Sequence, residues 1–92
     1  MVKFIEVYQN SGMNTYSMRQ ITINPAHVVA FREDYRAQTA LTENRMPSGL
    51  SHNARFTTIF LNSGQSSLDV VVADPPDVVE QKILNAKRLL KG

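Results

Sequence analysis

A chain of 92 residues with a formal net charge of +2 suits one domain with a modest core, and its lack of cysteine excludes disulfides, thiolate zinc sites and cysteine nucleophiles. Ten lysines and arginines against eight aspartates and glutamates are too balanced to indicate a nucleic-acid-binding protein by charge alone. The first residues enter a strand pattern without the features of a secretory signal, and no apolar run approaches the roughly 20 residues that span a bilayer. We therefore expect a single α+β domain over residues 1–92, located in the cytoplasm and outside any membrane.

The N-terminal residues predict a β-hairpin. Val2–Gln9 is rich in β-branched and aromatic residues, and the turn-forming residues Asn10–Asn14 follow. The strand pattern then resumes over Thr15–Ile23.

A tight corner is predicted directly after this hairpin. Pro25 lacks an N–H and biases Asn24 towards extended or turn geometry, so the second strand must end there. A third strand is predicted over His27–Arg32. Strict alternation makes both of its faces apolar, with Val29 and Phe31 on one face and Val28 and Ala30 on the other.

Residues 34–53 form a long connection that is mostly polar. Such a segment offers too little apolar surface to offset the entropy of ordering, which is about 1–2 kcal/mol per residue. We therefore expect this connection to be the most mobile part of the chain and the place where a partner docks.

Arg55–Leu61 and Ser67–Ala73 predict a second hairpin, because Asn62–Gln65 between them contains the asparagine and glycine that suit a tight turn.

The C-terminal residues predict one helix. Asp74 is the expected capping residue, two prolines follow in the first turn, and Asp77 favours the positive end of the helix dipole. One apolar stripe is expected to face the core, formed by Val79, Ile83, Ala86 and Leu90. The basic residues towards the helix end either complement the dipole or contact phosphates, and they are Lys82, Lys87, Arg88 and Lys91.

These elements predict an α+β fold of about five mostly antiparallel strands, two hairpins and a middle strand, with the helix on one sheet face. The third and fifth strands are apolar on successive positions, so the second face must also be covered. Sheet curvature into a barrel, the long connection and a second subunit are the alternatives. We favour a homo-oligomer.

The order of signals resembles the small flagellar FlbD-type proteins. The corresponding segments here are Ile21–Pro25, Val28-Val29, Phe60–Gly64, Val70–Val72 and Asp77–Val79 with Ile83. The resemblance implies the strand corner, the glycine turn and the C-terminal helix, and it carries no catalytic signature. An additional N-terminal strand and the insertion Tyr35–Arg55 depart from the pattern. The chain also resembles, in its general sequence character and without a discrete motif, short uncharacterised proteins of marine cyanobacterial phages.

No catalytic, cofactor or metal site is predicted. His27 and His52 are the only histidines, and their spacing matches no metal-ligand pattern. A triad of Ser51, His52 and Asp34 lacks a nucleophile elbow or an oxyanion signature. Asp74 and Asp77 are better explained by helix capping than by acid–base chemistry.

The strongest candidate for binding is a set of arginines and a tyrosine around the long connection. Its members are Arg32, Tyr35, Arg36, Arg45 and Arg55. Guanidinium groups beside aromatic rings bind acidic partners or stack on bases. The sequence therefore favours a non-enzymatic oligomeric module with an interaction or regulatory role. The alternative is a nucleic-acid-binding protein that uses the same patch, and a small hydrolase is the third class.

Overall fold

The computed structural model describes the backbone of residues 1–91 and the side chains of residues 1–88. It contains five strands, β1 (Val2–Gln9), β2 (Tyr16–Ile23), β3 (Val28–Glu33), β4 (Thr57–Asn62) and β5 (Ser67–Val72). The helices are α1 (Tyr35–Thr42) and α2 (Pro76–Lys91). All neighbouring strands are antiparallel, in the order β2-β1-β5-β4-β3. The predicted α+β class, both hairpins and the C-terminal helix are confirmed.

A 3₁₀ turn at Pro25–His27 joins β2 to β3, which are the two edges of the sheet. The Asn24 side chain accepts a hydrogen bond from the Ala26 N–H at 3.0 Å, and the Asn24 carbonyl accepts one from the His27 N–H at 3.0 Å. Pro25 is fully buried. The predicted corner is therefore confirmed. Hydrogen bonds within the turn satisfy the Asn24 side chain and carbonyl, and the Pro25 ring is buried.

The predicted facing of β3 is wrong in one respect. A β-bulge between Val28 and Ala30 interrupts the register with β4. Because the bulge breaks the alternation of side chains, Val28 and Phe31 both pack on the same face, whereas Val29 is 68% exposed.

The main core lies between α2 and one face of the sheet. Its fully enclosed members come from four strands and the helix, and they are Val2, Phe4, Ile23, Ile59, Val70, Val72, Val79 and Ile83. Ala86 packs against this cluster from the next turn of α2. The predicted stripe of α2 is thus confirmed for three of its positions, and the Leu90 side chain lies outside the described residues.

The start of α2 differs from the prediction. Pro76 is the first helical residue and Pro75 precedes it, so Asp74 lies one position too early to cap the helix. Asp74 instead accepts a hydrogen bond from the Lys82 ammonium at 2.8 Å, and its carbonyl accepts one from the Thr57 hydroxyl at 2.7 Å. Asp77 lies in the first turn as expected.

The long connection covers part of the second face of the sheet. Helix α1 buries Ala37 and Ala40, and Ala37 packs with Val7 and Phe56 in a second hydrophobic cluster. Partly buried residues complete this cluster, namely Tyr16, Leu41, Met46, Leu50, Ala54, Val71 and Ala73. The expectation that the connection has too little apolar surface to pack is therefore wrong, because small and medium apolar residues spaced through it converge only in three dimensions.

This cover is partial. On the same face Ile5 remains 44% exposed and Met18 39% exposed, and Phe60 is half-buried. Folding back of the connection, one of the three expected alternatives, thus accounts for much of the second face. Homo-oligomerisation stays a prediction.

We expect Ile83→Ala to lower the free energy of unfolding by about 2–5 kcal/mol, because it leaves a cavity between α2 and the sheet where Ile83 is only 5% exposed. Lys87→Ala, on the exposed side of the same helix, is the matched control and should change stability by less than about 0.5 kcal/mol. Denaturant titration of both variants measures the difference. A larger loss for Lys87→Ala would contradict the packing of α2.

Candidate binding groove

An open groove of about 440 Å³ lies between the first turn of α1 and the second face of the sheet. We call it the α1 groove. Its lining comes from β3, α1, β4 and β5, and consists of Arg32, Glu33, Asp34, Tyr35, Arg36, Thr58, Phe60, Asp69 and Val71. Three of the five residues predicted as a binding patch are among these.

Asp34 builds the wall of the groove. One carboxylate oxygen, Oδ1, accepts a hydrogen bond from the Ala37 N–H at 2.9 Å and so caps α1. The other, Oδ2, accepts one from the Thr58 hydroxyl of β4 at 2.7 Å. The Asp34 N–H donates to the Phe56 carbonyl at 2.8 Å. These three bonds hold the start of α1 against β4, which gives the groove a defined shape.

The same contacts argue against a catalytic triad of Ser51, His52 and Asp34. Both oxygens of Asp34 are engaged by an amide and a hydroxyl. The Ser51 hydroxyl accepts a hydrogen bond from the Asn53 N–H at 3.2 Å, and His52 is exposed beside it. The three residues are therefore not arranged as a nucleophile, a base and an orienting acid.

Arg32, Tyr35 and Arg36 are brought together at the groove. The Arg32 guanidinium lies over the Phe60 ring, 5.4 Å from its centre, which is a cation–π geometry. Tyr35 is 70% exposed. Within the part of the chain that is described, neither Arg32 nor Arg36 has an ion-pair partner, whereas Arg19, Arg45, Arg55 and Lys82 each have one. Two guanidinium groups thus face solvent at one groove.

Arg55 stands behind this pair. Its guanidinium donates two hydrogen bonds to the Glu33 carboxylate, at 2.8 and 2.9 Å. These hydrogen bonds hold the pKa of Glu33 below its usual value and raise the pKa of Arg55. Arg55 therefore neutralises a carboxylate at the groove rim, and its donors are already occupied.

Arg45 lies elsewhere. It pairs with Glu43 at 2.7 Å, donates to the Asn14 carbonyl at 3.1 Å and sits 6.0 Å from the centre of the Tyr16 ring. Its role is to tie the end of α1 to the first hairpin. The predicted five-residue patch thus divides into three groove residues, one residue behind the rim and one separate residue.

Asp69 is the charged groove residue that the sequence did not indicate, and Thr58, Phe60 and Val71 of the lining were not indicated either. It lies opposite Phe60 in the register between β4 and β5, so its carboxylate stands beside the ring on the same face. The predicted second hairpin places β5 beside β4, but the pairing of β4 with β3 was not predicted, so no local signal placed Asp69 in the same groove as Arg32. With Glu33 neutralised by Arg55, the groove presents Arg32 and Arg36 against Asp34 and Asp69.

Elsewhere the histidines do not form a site. His27 lines an open pocket of about 230 Å³ at the strand corner, together with Leu61, Ser63, Ser66 and Leu68 of the second hairpin. His52 lies in the connection. Across residues 1–91 there is no group of three or more histidines, cysteines, aspartates and glutamates that could hold a metal ion.

We expect Arg55→Met to raise the pKa of Glu33, because the two hydrogen bonds that favour its ionised form are lost. Since the Glu33 pKa is lowered in the folded protein, the stabilisation by this pair is present at neutral pH and is lost as pH falls through that pKa. An NMR titration of the Glu33 carboxyl carbon measures the shift. Arg45→Met, remote from Glu33, is the control, and equal pKa values in the two variants would contradict the assignment.

Comparison of the chain with protein-family models, curated proteins and solved structures found no significant match. The resemblance to FlbD-type proteins therefore stays a prediction. No helix in the described part of the chain is long and apolar enough to cross a membrane.

Proposed function

We propose that this protein is a non-enzymatic interaction module that binds a segment of a partner polypeptide in the α1 groove. The observation that carries the proposal is the combination of Arg32, Arg36 and Asp69 around the half-buried Phe60, since none of the three has an ion-pair partner in the described part of the chain. Binding of this kind gives the protein an interaction or regulatory role.

The chemistry of the groove suits a polypeptide. Phe60 and Val71 offer apolar contact at its floor, and aromatic and arginine side chains are enriched at the centres of protein interfaces. Unpaired guanidinium groups bind carboxylates in a bidentate manner. Asp69 offers an acceptor for a basic side chain or a main-chain N–H. A segment that carries an acidic and an apolar side chain close together satisfies these groups at once.

The alternative is a nucleic-acid-binding protein that uses the same arginines with Tyr35 and Phe60 as stacking surfaces. The groove contains Asp34 and Asp69 as well as the arginines. These carboxylates repel a phosphate backbone, so the mixed charge favours a polypeptide over a polyanion.

A hydrolase is the least supported class. Among the residues that the structure describes, no histidine, serine or cysteine lines the groove. Two of its three carboxylates are engaged, Asp34 by an amide and a hydroxyl and Glu33 by Arg55. Such groups are held in place for structure and are poorly suited to proton transfer.

A displayed library of random 12-residue peptides tests the proposal. We expect selection on the purified protein to enrich peptides with a carboxylate near an apolar residue. Arg32→Ala and Arg36→Ala should each weaken the selected peptide by roughly 10-fold or more, as expected for a charge-assisted hydrogen bond of about 1.5–3 kcal/mol. Lys87→Ala on α2, an exposed cation far along the chain from the groove, is the matched control and should leave affinity unchanged.

Asp69→Asn separates the two candidate functions. It should weaken a peptide that uses Asp69 as an acceptor, and it should strengthen binding of a polyanion by removing a repulsive charge. A single-stranded oligonucleotide of 20 thymidines, titrated at several salt concentrations, is the second probe. Binding that falls steeply with salt and tightens in Asp69→Asn, with no peptide enriched, would overturn the polypeptide proposal in favour of nucleic acid.

A further inference from the structure

We propose that a second copy of this chain pairs with the open edge of β2, so that two sheets join antiparallel about Gln20. This inference concerns the opposite end of the sheet from the α1 groove and does not depend on the proposed function. It assigns a surface to the homo-oligomer that the composition of the strands predicts.

The direction of the main-chain groups along β2 can be derived from two hydrogen bonds. The Asn10 N–H donates to the Thr15 carbonyl at 2.9 Å, and the Tyr16 N–H donates away from β1, to the Arg45 carbonyl at 2.8 Å. In an antiparallel pair, successive residues alternate between bonding the neighbour and pointing outwards. The main-chain groups that point outwards beyond Tyr16 therefore belong to Met18, Gln20 and Thr22.

This edge is regular, and the connection covers only its start, where the Tyr16 N–H donates to the Arg45 carbonyl and the Met18 methyl lies next to Gly49. All eight residues of β2 pair with β1 without a register shift. Natural edge strands are commonly protected by proline, lysine or a bulge. The sequence of β2 contains no proline and no lysine, and its one charged residue, Arg19, is paired with Glu6 at 2.9 Å on the α2 face.

The other edge of the sheet differs in these respects. A bulge between Val28 and Ala30 interrupts β3, and two of its six residues are the charged Arg32 and Glu33. Both features disfavour pairing with another strand. The contrast between the edges is the reason to assign the second copy to β2.

A two-fold axis at Gln20 uses the whole of the available edge. Arg45 already occupies the N–H of Tyr16, so the free outward residues are centred on Gln20. In this register Met18 of each copy lies opposite Thr22 of the other, and the two Gln20 side chains are adjacent. Arg19 lies opposite Ile21, so no like charges meet across the seam.

Exposed apolar surface adjoins the seam. Met18 is 39% exposed and Ile5, opposite Gln20 on β1, is 44% exposed, and both lie on the second face of the sheet. Pairing of two β2 strands places the two Met18 side chains on either side of the central Gln20 pair, each beside Thr22 of the other copy. Burial of their side chains adds to the main-chain hydrogen bonds.

The test measures mass by light scattering at micromolar concentrations. We expect the wild-type protein to have twice the mass of the 10.3 kDa chain. Gln20→Pro removes an outward N–H that makes no bond within the chain, and Gln20→Lys places two ammonium groups at the axis. Both variants should have the mass of one chain at the same concentration. Val29→Lys, at an exposed position on β3, is the matched control and should keep the dimer.

Hydrogen exchange tests the register and does not depend on any variant folding. In the dimer the amides of Met18, Gln20 and Thr22 should be protected on the order of tenfold more than in a diluted monomeric sample, because they gain acceptors. A wild-type protein of single-chain mass would overturn the proposal. A dimer that leaves these three amides unprotected, or that Val29→Lys dissociates, would place the interface elsewhere and would equally overturn it.

Discussion

The short connection between the two edge strands is the constraint on which the rest of the structure depends. The five strands make four successive antiparallel pairings, so the two edge strands β2 and β3 run in the same direction. In a flat sheet, the end of β2 and the start of β3 would therefore lie at opposite ends of the strands. Four strand spacings of about 4.8 Å each also separate them in such a sheet. A single 3₁₀ turn of three residues cannot cover this distance, since each residue spans at most about 3.3–3.6 Å. The sheet must therefore twist and coil until its two edges approach, in the right-handed sense that strands prefer.

This coiling creates the two cores. The concave side encloses Ile23 of β2 with Ile59 of β4, residues that a flat sheet would hold far apart, and α2 closes this side with Val79 and Ile83. The other side receives α1 and the rest of the long connection. Because each face of the sheet is covered by a helix, successive residues of β5 can all be apolar. Val70 and Val72 pack on the α2 side, and Val71 packs on the side of α1.

The long connection has two roles in the fold. Its apolar residues cover the second face near Val7 and Phe56, and its first residues, held by Asp34 to Ala37 and Thr58, form a wall beside β4. The groove exists because α1 stops short of covering Phe60. The open edge of β2 lies at the other end of the strand order, so association of two copies there and binding in the groove involve separate surfaces.

The sequence by itself determined the five strands, the corner and the C-terminal helix, but not α1, whose residues were predicted as part of a polar connection. Alternation and β-branched residues identified the five strands, Pro25 and Asn24 identified the corner, and the spacing of Val79 and Ile83 identified the buried side of α2, because each of these signals depends on residues adjacent in the chain. Only the tertiary structure decided that β1 pairs with β5 and β3 with β4, and which distant side chains came together. The pairing of β3 with β4 brought Asp69 and Arg32 to one groove, Arg45 lies outside the predicted patch and contacts Asn14, and Ala37 became buried against Val7 and Phe56. These outcomes depend on long-range register and on the coiling of the sheet, which no local pattern of residues encodes.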